Sequence, residues 1–385
     1  MNAAVSAPAK RDDRIRILLA ISDLTGGGAE RQLSILLQHL DRSRFDIHLC
    51  VWRPVFEYDL PDDIPVHFAR KTRPWHVVSV VRAMQRLIDE LEPDLVYSQL
   101  HYVNMVTGTA LALADHQPAW VCRQCNDPRA EMKGPFASWA RWALRRADRV
   151  VGLSQGVTAA NIEYLNIPPQ RAVTIYNLAE VERIQRMAQE PLPIDRSREK
   201  FTVVHAGRLH PQKNQALLLE TFARFRDQPA ELWMLGDGPL RDSLAAKADG
   251  LGISSQVKWL GFQRNPFPYF RAADCFALSS TYEGLGNVLI EAMLCGTAAV
   301  STRCPYGPDE LIDDGVTGLL VPVGDAKALG EALAGLAANR EATVAMGETA
   351  RARAVARFGT TAGYRTFENL FETVVAEHRA GALVR

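Results

Sequence analysis

Ile15-Arg16-Ile17-Leu18-Leu19-Ala20-Ile21, then Gly26-Gly27-Gly28, then an amphipathic run over residues 29–40, reads as a buried strand, a glycine turn and a helix. That is one β-loop-α unit, and the chain repeats it. Residues 45–51, 94–98, 119–123 and 149–153 read as further strands, separated by helical runs at 75–91, 103–114 and 136–147. Such alternation predicts a parallel sheet with helices on both faces. The pattern restarts at Phe201-Thr202-Val203-Val204-His205-Ala206, after a loose, charged, proline-bearing stretch. Strands are expected there at 201–206, 230–235, 257–260, 274–278, 298–301 and 319–321, and the last helices at 326–338, 340–358 and 361–378. The reading is α/β: two doubly wound, Rossmann-like domains over 14–180 and 201–360, a linker at 181–200, a disordered tail at 1–13, and a closing helix at 361–385 that returns to the first domain. Paired sheets of this kind bind ligands beyond the carboxyl ends of their strands, so the chemistry is expected on those loops, in a cleft between the domains.

The chain has 385 residues, 47% of them hydrophobic, enough for two cores. Lys plus Arg and Asp plus Glu number 44 each, so no global field favours nucleic acid, and an anion site must be local. The six cysteines (50, 122, 125, 275, 295, 304) sit in apolar or strand-like segments and read as buried thiols in a reducing cytosol. Cys122-x-x-Cys125 has the spacing of half a zinc or redox motif, but no second pair with ligand spacing accompanies it. No run of eighteen uncharged apolar residues is present, so the chain is expected not to be integral to a membrane.

Three strand-to-helix loops carry the chemistry. Gly207-Arg208-Leu209-His210-Pro211-Gln212-Lys213-Asn214 follows the first strand of the second domain. Arg208 can fork two phosphate oxygens and Lys213 can add a point charge, although the same residues would also serve as a solvated basic loop. Leu235-Gly236-Asp237-Gly238-Pro239 is a second such turn, near a nucleotide or simply a helix cap through Asp237. The third is Glu283-Gly284-Leu285-Gly286-Asn287-Val288-Leu289-Ile290-Glu291, where glycines let backbone amides approach an anion as a helix begins. Glu283 belongs to its loop and Glu291 to about the second helical turn, so the two carboxylates face different parts of one ligand.

Together with Gly26-Gly27-Gly28-Ala29-Glu30-Arg31 and Glu291-Ala292-Met293-Leu294-Cys295-Gly296-Thr297, these motifs resemble glycosyltransferase family 4, the retaining, nucleotide-sugar-dependent enzymes of the GT-B fold. The likeness runs from about Ile15 with the motifs in order. It implies that Arg208 and Lys213 hold the donor diphosphate, that amides around Leu285, Gly286 and Asn287 face the phosphates, that Glu291 binds the ribose, and that Glu283 contacts the transferred sugar. Gly27 and Gly28 would approach the donor phosphates and the acceptor. His101 stands where the family often has a cleft-lining histidine, the other reading being a structural imidazole. Arg123 and Asn126 are weaker candidates for sugar or acceptor contacts, and Asn177 matches a family asparagine, with Leu178-Ala179-Glu180 in place of the commoner Gly-Val-Asp.

Arg208, Lys213, His101 and Glu283 are therefore the expected catalytic set, with no metal and no cofactor: the nucleotide-sugar is a substrate, and two basic side chains neutralise the leaving diphosphate. Glu283 and Glu291 are not a glycosidase pair, since a diphosphate leaves without needing an acid. Cys304-Pro305-Tyr306-Gly307-Pro308-Asp309-Glu310 resembles a subset of the family that uses UDP-sugars, often N-acetylhexosamines. The resemblance implies a lipid-linked glycan acceptor in cell-surface polysaccharide biosynthesis. Phe136, Trp139, Arg141, Trp142, Arg145 and Arg146 share one helix and suit either an anionic bilayer surface or core packing with a basic edge, and Lys71-Thr72-Arg73-Pro74-Trp75 would extend such a surface. A UDP-sugar 2-epimerase of the same architecture and a non-catalytic sugar-nucleotide-binding subunit are the competing readings.

Overall fold

The computed structural model describes residues 13–25, 27–69, 77–132, 134 and 136–382. The expectations for residues 1–12 of the tail, for Gly26 and for Lys71-Thr72-Arg73-Pro74-Trp75 lie outside the described residues. Seven strands, β1 (Ile15–Ile21), β2 (Phe45–Val51), β3 (Val66–Phe68), β4 (Leu95–Gln99), β5 (Ala119–Gln124), β6 (Arg149–Gly152) and β7 (Ala172–Thr174), form one sheet in the order β3-β2-β1-β4-β5-β6-β7. β1 runs parallel to both neighbours, Ile17 lying beside Ile47 on one side and Leu95 on the other. The second sheet holds β8 (Phe201–Ala206), β9 (Ala230–Leu235), β10 (Val257–Gly261), β11 (Cys275–Leu278), β12 (Ala298–Thr302) and β13 (Gly318–Val321), ordered β10-β9-β8-β11-β12-β13.

The β8 and β9 strands are buried at every residue, as expected where crossover helices cover both faces and the strands are continuous apolar runs. Each sheet reverses its strand order once, between β1 and β4 and between β8 and β11, and the loops leaving those strands flank a crevice suited to ligands. Both sheets therefore have the Rossmann-like topology read from the sequence.

The chain divides into two compact units. The first comprises the chain to Arg123, Gly134–Val150 and Thr366–Arg385; the second comprises Gln124–Lys133 and Val151–Arg365. Within the first, the closing helix Thr360–Arg379 buries Phe367, Phe371, Val374 and Val375. Phe371 meets Phe45 and Tyr97 edge-on at 6.4 and 5.5 Å, and Glu368 takes Arg44 at 2.8 Å. Within the second, part of the stretch read as a linker folds as the helix Val181–Met187, because Val181, Ile184 and Ala188 share a face and bury it. The three-residue strands β3 and β7, each only partly buried, and the helices Gln155–Leu165 and Phe267–Ala272 are additions to the sequence reading.

Candidate active site

Within the second unit the three chemistry-bearing loops are tied together by backbone hydrogen bonds. Gly207 N–H donates to the Leu235 carbonyl at 3.0 Å, Leu209 N–H to the Asp237 carbonyl at 2.9 Å, and Gly236 N–H to the Gly261 carbonyl at 2.7 Å. The loops after β8, β9 and β10 thus form one layer. The loop after β11 joins it through Thr281 N–H to the Gln212 carbonyl at 2.8 Å and Gln212 Nε2 to the Tyr282 carbonyl at 3.0 Å.

This lacing brings Lys213 and Glu283, seventy residues apart in sequence, into an ion pair at 2.6 Å between Nζ and Oε1. Ser280 Oγ donates to the same oxygen at 2.5 Å, and Ser279 Oγ donates to the Lys213 carbonyl at 2.8 Å. Glu283 is buried, and the bonds from Lys213 and Ser280 both use Oε1. Its carboxylate is neutralised by Lys213 and oriented through that oxygen. Arg208 stands differently: its side chain is exposed at the end of β8 and makes no ion pair among the described residues.

Glycine is required where the third loop turns into its helix. A Cβ on Gly284 would lie 2.3 Å from the Cys125 carbonyl oxygen and 3.2 Å from Asn126 Oδ1. Gly286, with φ +89, caps the helix Asn287–Leu294 without a side-chain hydrogen bond, and its carbonyl accepts from Leu289 N–H at 2.9 Å. That helix is held from below by Leu289, Ile290, Met293 and Leu294, all buried, and Glu291 is 9% exposed in its second turn. The Asn177 side-chain amide donates to Asn287 Oδ1.

Beneath these loops lies a relay that the sequence reading did not single out. His205, fully buried in β8, faces the Ala277 carbonyl through Nδ1 at 2.9 Å and the Gln215 amide through Nε2 at 3.2 Å. Gln215 Nε2 also donates to the Arg208 carbonyl at 2.9 Å. Burial pulls the His205 imidazole down from 6.5 to about 4, so it is neutral at physiological pH, and as a neutral ring it donates through one nitrogen and accepts through the other.

Similarity to known proteins identifies the family. Residues 26–183 match the family described as Glycosyltransferase Family 4, and residues 200–339 the one described as Glycosyl transferases group 1. The N-acetylgalactosamine-N,N'-diacetylbacillosaminyl-diphospho-undecaprenol 4-alpha-N-acetylgalactosaminyltransferase of Campylobacter jejuni is 30% identical over 317 residues, covering 79% of this chain and 85% of that one. The chain belongs to the family 4 glycosyltransferases. A lipopolysaccharide core biosynthesis glycosyltransferase, LpsE of Rhizobium meliloti, is 34% identical over 176 residues, 46% of this chain and 51% of its own. In fold, this glycosyltransferase matches the Anabaena HepE structure in complex with UDP-glucose at TM-score 0.78 and 22% identity, over 94% of this chain and 100% of that one. Its architecture is the two-domain GT-B fold.

The remaining expected residues of the glycosyltransferase fall in two places. Asn126 lies beside Gly284 in the second unit and donates to Glu131 at 2.8 Å. In the first unit, His101 opens the helix His101–Leu113 just after β4, where Leu100 adopts φ 76. Gln99 donates to the Ala29 carbonyl at 2.6 Å, which draws the end of β4 to the turn of Gly27 and Gly28. Arg123 is 2% exposed, and its guanidinium lies 5.1 Å from the centre of the Phe367 ring, so the structure packs it against the closing helix instead of presenting it on a loop. Glu30, quoted in the sequence only as part of its motif, folds against Gly27, and burial raises its carboxyl above the usual range.

The cysteines are free thiols; burial pushes those of Cys50 and Cys304 up to about 12. No helix among the described residues is long and apolar enough to cross a membrane.

Proposed function

We propose that this glycosyltransferase moves a hexose or N-acetylhexosamine from a UDP-sugar, with retention at the anomeric carbon, onto a hydroxyl of a lipid-linked glycan in cell-surface polysaccharide assembly. The Lys213–Glu283 pair carries the reading, because one side chain suits a departing diphosphate and the other a sugar hydroxyl, and they are joined at 2.6 Å. Lys213 has two further N–H donors for phosphate oxygens, and Arg208 offers a planar fork from the neighbouring loop. Backbone amides at Gly286 and Asn287 add partial positive charge without a counter-ion. Glu291 receives the ribose hydroxyls at the far end.

In the step proposed, the bond from the anomeric carbon to the diphosphate oxygen breaks while the acceptor oxygen bonds to the same face of that carbon. The acceptor's proton passes to the departing phosphate oxygen, and negative charge growing there meets Arg208 and Lys213. Those cations do the neutralising, so the reaction is proposed to run without a divalent metal. The relatives that act on undecaprenol-linked or lipopolysaccharide substrates support a membrane-surface acceptor, and the helix Phe136–Leu144 is the proposed point of contact.

The deciding experiment incubates the chain with UDP-, GDP- and ADP-sugars, with and without bacterial lipid extract, and follows free nucleotide. UDP appearing only with the lipid extract is the expected result. Isomerised UDP-sugar without acceptor would make it an epimerase, and activity abolished by a chelator and restored by magnesium would overturn metal independence.

A further inference from the structure

Beyond β12 the second unit carries a carboxylate that takes no part in the proposed reaction. Glu310, in the short helix Pro308–Leu311, accepts from Gln155 N–H at 2.8 Å and from Gly156 N–H at 2.9 Å, and its Oε2 also takes the Tyr176 hydroxyl at 2.9 Å. Gln155 and Gly156 open the helix Gln155–Leu165. The next two amides of that helix are met by Ser154, Val157 N–H reaching its Oγ at 3.2 Å and Thr158 N–H its carbonyl at 3.0 Å. A local serine already caps this helix, so what Glu310 adds from 154 residues away is a connection between segments.

Those segments, all in the second unit, lead to the loop 283–287. Just before Glu310, the Pro305 carbonyl accepts from Glu283 N–H at 3.3 Å, and a Cβ on Gly307, at φ +97, would lie 2.3 Å from the Leu285 carbonyl oxygen. Tyr176 precedes Asn177, which donates to Asn287 Oδ1 where the helix Asn287–Leu294 begins. The helix Gln155–Leu165 closes against the same stretch, since a Cβ on Gly156 would meet Tyr306 Cδ1 at 2.2 Å. Arg357 holds the arrangement from the other side: its guanidinium lies 4.6 Å from the centre of the Tyr176 ring and donates to the Glu310 carbonyl. Phe358 meets the same ring edge-on at 6.1 Å.

We propose that Glu310 is a positioning residue for the donor: by joining Tyr176 to the start of the helix Gln155–Leu165, it sets Asn177 against Asn287 and residues 305–307 against Glu283 and Leu285. It touches no reacting atom and acts through Asn177 and the loop backbone. This rests on the donor reading above and adds to it a residue outside the donor loops. Glutamine in its place keeps the shape but turns an N–H2 group towards a backbone N–H or the phenol, so the three donors no longer share one carboxylate. A displaced loop weakens the donor's ground state and transition state alike, which places the loss in affinity and not in turnover.

The test compares Glu310→Gln, Tyr176→Phe and their combination in the full chain. Calorimetric titration with UDP is expected to show binding about tenfold weaker in Glu310→Gln and about threefold weaker in Tyr176→Phe, with the pair no worse than Glu310→Gln because both act through one network. In turnover the KM for the UDP-sugar should rise by the same factors, with kcat and the acceptor KM within about twofold of wild type. Hydrogen exchange on the unliganded protein reads the placement itself: residues 283–289 should exchange faster in Glu310→Gln, and residues 217–219 of the second unit's core should not. Faster exchange confined to residues 154–158 would make Glu310 a helix cap and nothing more, and faster exchange throughout the unit would make it a stability residue; either overturns the proposal. So does a fall in kcat with both KM values unchanged, which is the mark of a smaller folded fraction. Wild type that binds GDP or ADP in place of UDP corrects the donor class, and the same ratios are then read with that nucleotide. Wild type that binds none of the three removes the donor reading, while exchange in residues 283–289 still decides for or against the positioning.

Discussion

At the scale of single residues, Arg208 and His205 stand three positions apart in opposite settings, one exposed and one fully buried. Arg208 is exposed at a strand end, so replacing it should touch the reaction and spare the fold. Loss of one contact directed at developing charge typically raises a barrier by ~3 kcal/mol, or about two orders of magnitude in rate. Arg208→Ala is expected to lose that much in kcat with an unchanged unfolding midpoint, and near-normal turnover in the folded variant would remove it from the mechanism. His205 is the structural partner. Its imidazole is held neutral by burial, with the folded value near 4 against 6.5, so its contribution to stability is complete above 6.5 and is lost as the pH falls towards 4. The loss amounts to roughly 3 kcal/mol. His205→Phe should be less stable than wild type at pH 7.5, since it strands the Ala277 carbonyl and Gln215, but the gap should narrow across that window. Thermal midpoints at several pH values read it directly, and parallel curves would contradict the burial argument. Arg208 was legible in the sequence as an exposed candidate because it stands just beyond the carboxyl end of an apolar strand. His205 was not, because an imidazole inside an apolar strand shows its partners only when β11 lies beside it.

At the scale of elements, the apolar runs that became β1, β8 and β9 were readable because their neighbours bury both faces, whereas β3 and β7 are three residues long, only partly buried, and carry no such signal. The same limit applies to the site. Each glutamate and each cation was readable on its own loop, but the Lys213–Glu283 pair depends on the loops after β8 and β11 meeting, which follows from strand order and not from either motif. The pair is testable as a unit. Its side chains are 18% and 6% exposed, so removing either one leaves the other poorly solvated. Breaking a buried pair from one side costs about 3–5 kcal/mol when the partner stays unpaired, and the partial exposure of Lys213 places this pair at or below the low end. Glu283→Gln and Lys213→Met are expected to lower stability singly by more than their combination suggests, with a coupling of roughly 1–3 kcal/mol in a double-mutant cycle. All three variants should be inactive. Strict additivity would mean that the two side chains do not share a charge balance in solution.

At the scale of the whole molecule, the loops proposed to hold the donor, those after β8, β9 and β11, lie in one of the two units, so a donor should act on the fold locally while shifting its stability as a whole. A ligand that binds only the native state adds about 2.7 kcal/mol at one hundred times its dissociation constant. UDP is therefore expected to raise the unfolding midpoint more than GDP or ADP at equal concentration. Hydrogen exchange should slow most in residues 205–214, 235–241 and 281–292, and change little in residues 136–148 of the first unit. The cations of Arg208 and Lys213 are proposed to do the work of a divalent ion, so the stabilisation by UDP should survive a chelator. Stabilisation by ADP or GDP above that by UDP would correct the donor class while leaving the fold and the transfer chemistry in place. Stabilisation that collapses with the chelator and returns with magnesium would require a metal at the diphosphate, and the charge balance built on Arg208 and Lys213 would then be insufficient.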